Sequence, residues 1–192
     1  MVELVGGGLP DGARLLFPAS RVTEALDAMA LKATALVGGF QPIVLIVLTG
    51  GLYAGVWLTE RLDFALEVDF VRVSRYRSGM DSGSLKWLYK PCIPPAGRTV
   101  LLVDDVWDEG ITLTAIQDWL LREGASRVVS AALIWKERGS ISQPARGPDV
   151  HGLRAGAEWL IGCGLDLDGQ WRHLPAVYAL PAPKASFPDR SE

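Results

Sequence analysis

The chain has 192 residues, 49% of them hydrophobic and 21% charged, and a formal net charge of -3 at pH 7. This length suits one domain with a full core and is short for two. The small negative charge argues against a general nucleic-acid-binding surface. The two cysteines, Cys92 and Cys163, lack a CxxC pair and histidine-rich surroundings, which indicates a reducing compartment and no structural zinc.

One uncharged stretch, residues 33–59, is long enough for a membrane span. It is interrupted by Gly38-Gly39, Gln41-Pro42 and Thr49-Gly50-Gly51, and its uninterrupted apolar part, residues 43–48, has the length of a strand. The N-terminus also lacks the basic start and apolar core of a signal peptide. We therefore expect a cytoplasmic protein with no membrane partner.

The first half of the chain alternates between helix and strand patterns. Ser20 is the predicted N-cap of a helix whose apolar residues recur at spacings of three and four. These residues are Val22, Leu26, Met29, Ala33 and Leu36. The predicted elements that follow are a strand at 42–48, a helix at 52–62, a strand at 66–73, a polar loop at 74–84 and a short strand at 85–90.

The second half contains a clear strand–helix–strand unit. Its predicted elements are a strand at 99–103, an acidic loop, a helix at 112–122 ended by Gly124, and a strand at 127–135. Apolar strands that alternate with helices predict an α/β fold, with a mostly parallel twisted sheet and helices on both faces. Ligands of such sheets bind beyond the carboxyl ends of the strands. The Thr49 loop, the acidic loop and Lys136 all follow such ends, so we expect one cleft to collect them.

The acidic loop carries the strongest functional signal. Asp104, Asp105, Asp108 and Glu109 are expected to crowd between the strand and the helix, at a cost in mutual repulsion. The helix start that follows, Gly110 to Thr112, offers backbone N–H groups and a hydroxyl to an anion. A phosphorylated sugar with Mg²⁺ would match both the carboxylates and the helix start. The carboxylates would bind the sugar hydroxyls and the metal ion, and the backbone N–H groups would bind the phosphate.

Three segments resemble the type I phosphoribosyltransferases. DDVWDEGIT, residues 104–112, is similar to their phosphoribosyl pyrophosphate signature except at Glu109. Residues 68–80 resemble the strand and flexible lid of the hypoxanthine-guanine branch, and residues 159–175 resemble its purine-binding and pyrophosphate-binding end. The resemblance covers residues 17–180. It implies a single domain over 1–180 with a C-terminal hood near 151–180, and residues 181–192 are predicted to be a disordered tail.

The resemblance also implies a role for each matched residue. Asp108 is the expected catalytic acid/base, and the lid would contain Arg75, where relatives usually have Ser, and Tyr76. The residues expected to bind phosphoribosyl pyrophosphate are Thr49, Gly50, Asp104, Asp105, Asp108, Glu109, Gly110, Ile111, Thr112 and Arg172. The residues expected to bind the purine are Lys136, Trp159, Leu160 and Asp166. The residues expected to bind the metal ion, directly or through the sugar hydroxyls, are Asp104, Asp105 and Asp166.

Two functions of different classes remain open at this point. The first is an enzyme that uses Mg²⁺ and converts a 6-oxopurine (hypoxanthine or guanine, or xanthine) and phosphoribosyl pyrophosphate into the nucleoside 5′-monophosphate and pyrophosphate. It would form a homodimer or homotetramer and bind no nucleic acid. The second is a regulatory protein that senses these ligands without turnover, which the departures Glu109, Arg75 and Thr49 favour, since many relatives have Lys or Arg in place of Thr49. Orotate or adenine transfer is disfavoured by Lys136 and Trp159.

Overall fold

The computed structural model describes residues 8–75, 85–137 and 147–181. Within these residues the strands are β1 (Arg14–Phe17), β2 (Ile43–Leu48), β3 (Glu67–Arg75), β4 (Leu85–Tyr89), β5 (Thr99–Trp107), β6 (Arg127–Lys136), β7 (Val150–Ala155), β8 (Trp159–Ile161) and β9 (Val177–Leu180). The helices are α1 (Ala19–Val37), α2 (Gly51–Thr59) and α3 (Ile111–Arg122).

The main sheet has six strands in the order β4-β3-β2-β5-β6-β7, and its strand pairs are parallel except for the antiparallel pair β3–β4. One core layer packs α1 and α2 against one face of the sheet, and a second layer packs α3 against the other. Burial on both faces explains why β2 and most of β5 are continuous apolar runs. The predicted α/β architecture is confirmed.

A second, antiparallel sheet in the order β1-β9-β8 forms the hood over one end of the domain. Its small core contains Ile161, Leu174 and Leu180. The hood therefore differs from the predicted segment 151–180 in two respects. β7 belongs to the main sheet, where it pairs with β6, and β1 contributes a hood strand from the opposite end of the chain.

The ends of two helices test the predicted capping residues. Ser20 lies inside α1 and is not its cap, because Pro18, with φ fixed at -65°, lets the helix begin at Ala19. Gly124 does end α3. It adopts φ +89°, Gly124 N–H donates to Leu121 O, and Ala125 N–H donates to Leu120 O at 3.0 Å, which is the Schellman pattern.

The acidic pair lies on a strand and not in a loop as predicted. β5 continues to Trp107 because its ladder with β6 runs on through Asp104 to the pair Trp107–Trp135. The connecting turn is therefore only Asp108 to Gly110. Among the described residues, no helix is both long and apolar enough to cross a membrane.

Candidate active site

The carboxyl ends of β2, β5 and β6 lie side by side, as the sequence predicted. β5 is paired with β2 on one side and with β6 on the other. Trp107 is opposite Trp135 in the ladder, so Asp108 and Lys136 each follow directly after a paired residue. The structure thus brings the turn residue Asp108 and the strand-end residue Lys136 to the same edge of the sheet.

Asp104 and Asp105 are both buried, each with 8% of its surface exposed. Asp105 N–H donates to Asp104 Oδ1 at 2.9 Å. Burial, and then the neighbouring carboxylate, raises the pKa of Asp104 well above its usual range. Burial also raises the pKa of Asp105, while the Arg172 guanidinium acts on both carboxyls in the opposite direction. Two buried acids with raised pKa values are a destabilising arrangement that a cation or hydroxyl ligand would relieve.

The loop between β2 and α2 lies directly against Asp105. The peptide bond between Leu48 and Thr49 is cis. A Cβ atom added to Gly50 would lie 2.1 Å from Asp105 Oδ2, so a side chain at position 50 has no room. Glycine at this position lets the backbone of the loop approach the acidic pair closely.

The turn into α3 has the form of an anion cradle. Gly110 is the N-cap residue, adopts the left-handed conformation with φ +73°, and is buried. The N-cap residue contributes no side-chain cap, and the first turn of α3 contains no acidic residue. The first backbone N–H groups of a helix have no intrahelical acceptor, so those of α3 can serve a ligand held by the turn. Asp108, Glu109 and Thr112 are partly buried around this turn, and Ile111 is 40% exposed.

Trp107 is a residue of this region to which sequence reasoning gave no role. It is 3% exposed, and its indole lies under Gly110, where an added Cβ would be 2.5 Å from Cζ2. The position of an aromatic residue directly before the acidic turn could have indicated this packing role from the sequence. Its size excludes every residue except glycine from position 110.

The hood places Arg172 beside the acidic pair. Arg172 Nη2 lies 2.7 Å from Asp166 Oδ1, and Arg172 Nη1 donates to the Gly164 carbonyl at 2.5 Å. Gly164 adopts φ +102°, and a Cβ added there would lie 2.0 Å from the Gly50 carbonyl oxygen. The hood and the β2–α2 loop are therefore in backbone contact, and this contact brings the guanidinium to the sheet edge.

The predicted purine residues combine buried and exposed groups. Lys136 is 9% exposed at the end of β6 and Leu160 is 3% exposed in β8. Trp159 is 45% exposed, and its Nε1–H donates to the Asp166 carbonyl at 2.9 Å. The indole is thus fixed in direction while much of its surface remains accessible. Such a ring can stack on a flat heterocycle.

An open pocket of about 370 Å³ adjoins this cluster, and sequence reasoning did not anticipate most of its lining. Tyr53 of α2 forms one side, and residues 169–173 of the hood form the rest. The rings of Trp171 and His173 stack at 6.4 Å. Among these lining residues, only Arg172 was predicted as a site residue. The aromatic residues next to it in the sequence could have indicated the rest of the hood lining.

The remaining predicted residues fall partly outside the described residues. Tyr76 lies outside them, as does the Arg75 side chain, and Ser74 and Arg75 continue β3 where a loop was predicted. In the described part of the chain, no group of three or more His, Cys, Asp or Glu residues is arranged to hold a metal ion. Asp166 instead forms an ion pair with Arg172.

The Phosphoribosyl transferase domain family profile matches residues 18–167. The chain is 34% identical over 143 residues to the hypoxanthine-guanine phosphoribosyltransferase of Lactococcus lactis, covering 74% of this chain and 76% of that protein. It is 33% identical over 141 residues to the enzyme of the same name from Aquifex aeolicus, with coverages of 72% and 78%.

Solved structures agree with the fold. A hypoxanthine phosphoribosyltransferase from Staphylococcus aureus superposes with a TM-score of 0.80 at 22% identity, covering 88% of this chain and 91% of that one. A Trypanosoma cruzi hypoxanthine phosphoribosyltransferase gives a TM-score of 0.81 at 20% identity, with coverages of 91% and 95%. The chain therefore belongs to the phosphoribosyltransferase family, in its hypoxanthine-guanine branch.

Proposed function

We propose that the protein is an enzyme of purine salvage that transfers the phosphoribosyl group of phosphoribosyl pyrophosphate to N9 of a 6-oxopurine. The products are the nucleoside 5′-monophosphate and pyrophosphate. The observation that supports this most strongly is the convergence of Gly50, the buried pair Asp104–Asp105 and Arg172 at one edge of the sheet. Family membership at 34% identity supports the same reaction class.

The sugar phosphate would be bound by the sheet half of the site. Asp104 and Asp105 would accept hydrogen bonds from the ribose hydroxyls. The N–H groups of Gly110 and Ile111, with the Thr112 N–H and hydroxyl, would hold the 5′-phosphate. Glu109 stands where relatives have a small hydroxyl residue, and we propose that its backbone N–H serves the phosphate. The left-handed conformation of Gly110 at the start of α3 supports this assignment.

The diphosphate would be bound where the hood meets the β2–α2 loop. Thr49 and Gly50 would donate backbone N–H groups to it. Arg172 would stabilise the negative charge that develops on the diphosphate as the bond to the anomeric carbon breaks. Arg172 would carry the larger share here, because Thr49 provides no cation. The contact between Gly164 and the Gly50 carbonyl supports a single diphosphate subsite built from both segments.

The purine would lie between the strand ends and the hood. Lys136 would donate to the 6-oxo group, Trp159 would stack on the ring, and Leu160 and Asp166 would meet the opposite edge. Asp108 would accept the proton from N7 as N9 attacks the anomeric carbon. The lid residues Arg75 and Tyr76 would close over the reaction and exclude water.

Mg²⁺ is the proposed cofactor, and the donor set fits it. Magnesium sites in proteins commonly combine one or two carboxylates with phosphate oxygens of the substrate, so the pair Asp104–Asp105 and the separate Asp166 are sufficient. The raised pKa of Asp104 supports a cation partner. When bound, the ion neutralises charge on the departing diphosphate.

We also propose a cytoplasmic homodimer or homotetramer whose ligands are the two substrates, without nucleic acid or membrane partners. Both cysteines, Cys92 and Cys163, are free, which is consistent with a reducing compartment. Burial raises the pKa of the Cys163 thiol to about 12, so this thiol would stay protonated and unreactive at neutral pH.

The second candidate is a sensor that binds phosphoribosyl pyrophosphate without turnover, and Glu109 beside the anion cradle is the observation that favours it. One experiment separates the two. The purified protein is incubated with phosphoribosyl pyrophosphate, Mg²⁺ and, in turn, hypoxanthine, guanine, xanthine, adenine and orotate, and nucleotide formation is followed by chromatography.

We expect nucleotide with 6-oxopurines only, and none in excess chelator. Binding of phosphoribosyl pyrophosphate in calorimetry without product from any base would establish the sensor. Product from orotate or adenine alone would assign a different base specificity.

A further inference from the structure

Arg72 of β3 lies beside the loop that is proposed to bind the diphosphate. In the parallel ladder between β2 and β3, Arg72 is paired with Leu48, the residue that directly precedes Thr49. Neighbouring strands lie about 4.8 Å apart, so the backbone of Arg72 is adjacent to the start of the loop. β3 therefore provides a cationic side chain next to a loop whose own first residue, Thr49, carries no charge.

The two faces of the sheet show to which side the Arg72 side chain is directed. Successive side chains of a strand point to opposite faces, so Arg72 shares a face with Phe70. Phe70 packs in the core layer of α1 and α2, whereas Val71 between them packs in the layer of α3. Arg72 is therefore directed to the face that carries α2, the helix that begins at Gly51 directly after the loop.

The proposed substrate would place its diphosphate on this same face. Its 5′-phosphate is assigned to the start of α3 and its diphosphate to the loop before α2, and these two helices cover opposite faces of the sheet. A substrate bound in this way crosses the carboxyl edge of the strands, with the diphosphate on the side of α2. β3 and β5 flank β2 on opposite sides. Arg72 would thus approach the diphosphate from the side of β3, and Arg172 from the side of the acidic pair.

The guanidinium of Arg72 has no partner among the described residues. Arg72 is exposed, and it forms no hydrogen bond or ion pair within this part of the chain. The hydroxyl of Tyr89, its ladder partner in β4, lies 3.0 Å from Cys92 Sγ and is engaged there. At the opposite end of β3, by contrast, Glu67 Oε2 lies 2.5 Å from Arg98 Nη2. The unpaired cation of β3 is therefore the one at the ligand-binding edge of the sheet.

We propose that Arg72 is a diphosphate-binding residue whose guanidinium contacts the diphosphate group held by the β2–α2 loop. This inference rests on the proposed function and adds a second cation to a subsite in which Thr49 provides none. Arginine suits this role because its planar set of N–H donors can bind two phosphate oxygens at once. Arg72 and Arg172 together would place positive charge on both sides of the departing group.

The test compares Arg72→Gln with the matched control Arg122→Gln. Each substitution removes one positive charge from an exposed arginine and leaves an amide that can form hydrogen bonds. Arg122 is the last residue of α3, and its Nε–H donates to the Asp118 carbonyl at 3.1 Å, so it lies at the end of the helix that is remote from the site. Calorimetric titrations use two probes, pyrophosphate with Mg²⁺ and inosine 5′-monophosphate, which carries no diphosphate.

We expect Arg72→Gln to weaken the affinity for pyrophosphate about tenfold or more, the scale of a hydrogen bond to a charged group. This loss should shrink at high salt, because the charge of an exposed guanidinium is screened. The affinity for inosine 5′-monophosphate should remain unchanged, and Arg122→Gln should change neither affinity. Parental pyrophosphate affinity in Arg72→Gln would overturn the proposal, and so would an equal loss for both probes.

Two further measurements separate this role from other effects. Size-exclusion chromatography of Arg72→Gln should match the parent, and a pyrophosphate loss that accompanies a change in oligomeric state would overturn the proposal, because it would indicate a subunit contact. Nucleotide formation by the parent tests the enzymatic function separately. If the parent forms no product but Arg72→Gln selectively loses pyrophosphate affinity, the role of Arg72 stands while the proposed reaction fails.

Discussion

The two halves of the candidate site are built in different ways. The sheet half contains Asp104, Asp105 and Lys136, which are 8%, 8% and 9% exposed and lie on strands held by backbone ladders. The hood half contains Trp159, which is 45% exposed, and Arg172, whose side chains donate to the carbonyls of Asp166 and Gly164, respectively.

This difference indicates a division of labour. Carboxylates buried on a strand cannot move far, so their geometry is prepared before a ligand binds and their repulsion is stored in the free protein. The hood is short, carries several residues at positive φ, and leaves much of the Trp159 indole exposed. We therefore expect the sheet half to dominate chemistry and the hood half to tune affinity, and five substitutions test this contrast.

The largest effect should come from the sheet half. Asp108→Asn removes the proposed proton acceptor at N7 and should lower kcat by about 10²- to 10⁴-fold, the usual scale for a positioned acid/base. The melting temperature should change little. Steady-state kinetics and thermal unfolding measure both, with Asp118→Asn on the exposed side of α3 as the control. An unchanged kcat would make Asp108 an ordinary turn residue.

Separating the halves should have the next largest effect. Gly164→Ala adds a Cβ atom 2.0 Å from the Gly50 carbonyl oxygen at φ +102° and should cost about 2–4 kcal/mol in the free energy of unfolding. Gly169→Ala is the matched control, since Gly169 has φ +81° but nothing within 4 Å, and should cost about 1 kcal/mol. Urea unfolding compares them. Equal costs would show that backbone strain alone matters and that the contact with Gly50 does not.

A direct comparison of the two halves uses one purine contact from each. Lys136→Ala should weaken nucleotide binding by about 1.5–3 kcal/mol, because it removes a charged donor from a buried position. Trp159→Ala should cost about 0.5–1.5 kcal/mol, the scale of an aromatic stacking contact, and should not alter which 6-oxopurine is preferred. Calorimetry with inosine and guanosine 5′-monophosphates measures both. A larger loss in Trp159→Ala would reverse the proposed ranking.

A modest effect of the opposite sign, a gain in stability, is expected from removing the repulsion between the buried carboxylates of the sheet half. Because burial raises the pKa of Asp104 in the folded state, the folded protein holds this proton more tightly than the unfolded chain. Stability from this group is therefore present at low pH and is lost as the pH rises through the raised pKa. Asp104→Asn removes this loss and should stabilise the ligand-free protein by about 1–2 kcal/mol at pH 7.

Urea unfolding of Asp104→Asn and the parent at pH 4 and pH 7 tests this sign. The gain should be smaller at pH 4, where the parental carboxyl is protonated to a greater extent. Ribose-ligand affinity should fall at the same time. A variant less stable than the parent at pH 7 would show that the carboxylate has a stabilising partner in the free protein.

Sequence patterns predicted the sheet half well and the hood poorly. β2, β5 and β6 are long apolar runs, and the burial that produces such runs is a local property of each strand. β8 has three residues and is followed by Cys163, Asp168 and Trp171 at positive φ, so its structure depends on tertiary contacts that no local pattern encodes. The role of this segment in ligand binding was predicted from the resemblance of residues 159–175 to the family, and not from hydrophobic periodicity.

One wrong prediction and one feature that was not anticipated have the same physical origin. Asp104 and Asp105 were expected in a loop because the apolar run ends at Val103, yet the ladder to β6 holds them in β5. The Trp107 N–H group, which has no partner among the described residues, was not anticipated because its surroundings depend on how the ring packs beneath Gly110. Non-local packing decides both features, and a single sequence does not contain its geometry.

The pairing of β1 with β9 has a consequence for synthesis of the protein. β1 leaves the ribosome early, but its hydrogen-bonding partner β9 follows only after all the other described strands. Until then β1 has no ladder in the hood, while the strands of the main sheet can already pair as they emerge. A nascent chain would thus assemble the acidic sheet edge first, and the arginine and stacking side of the site would become organised only at the end of translation.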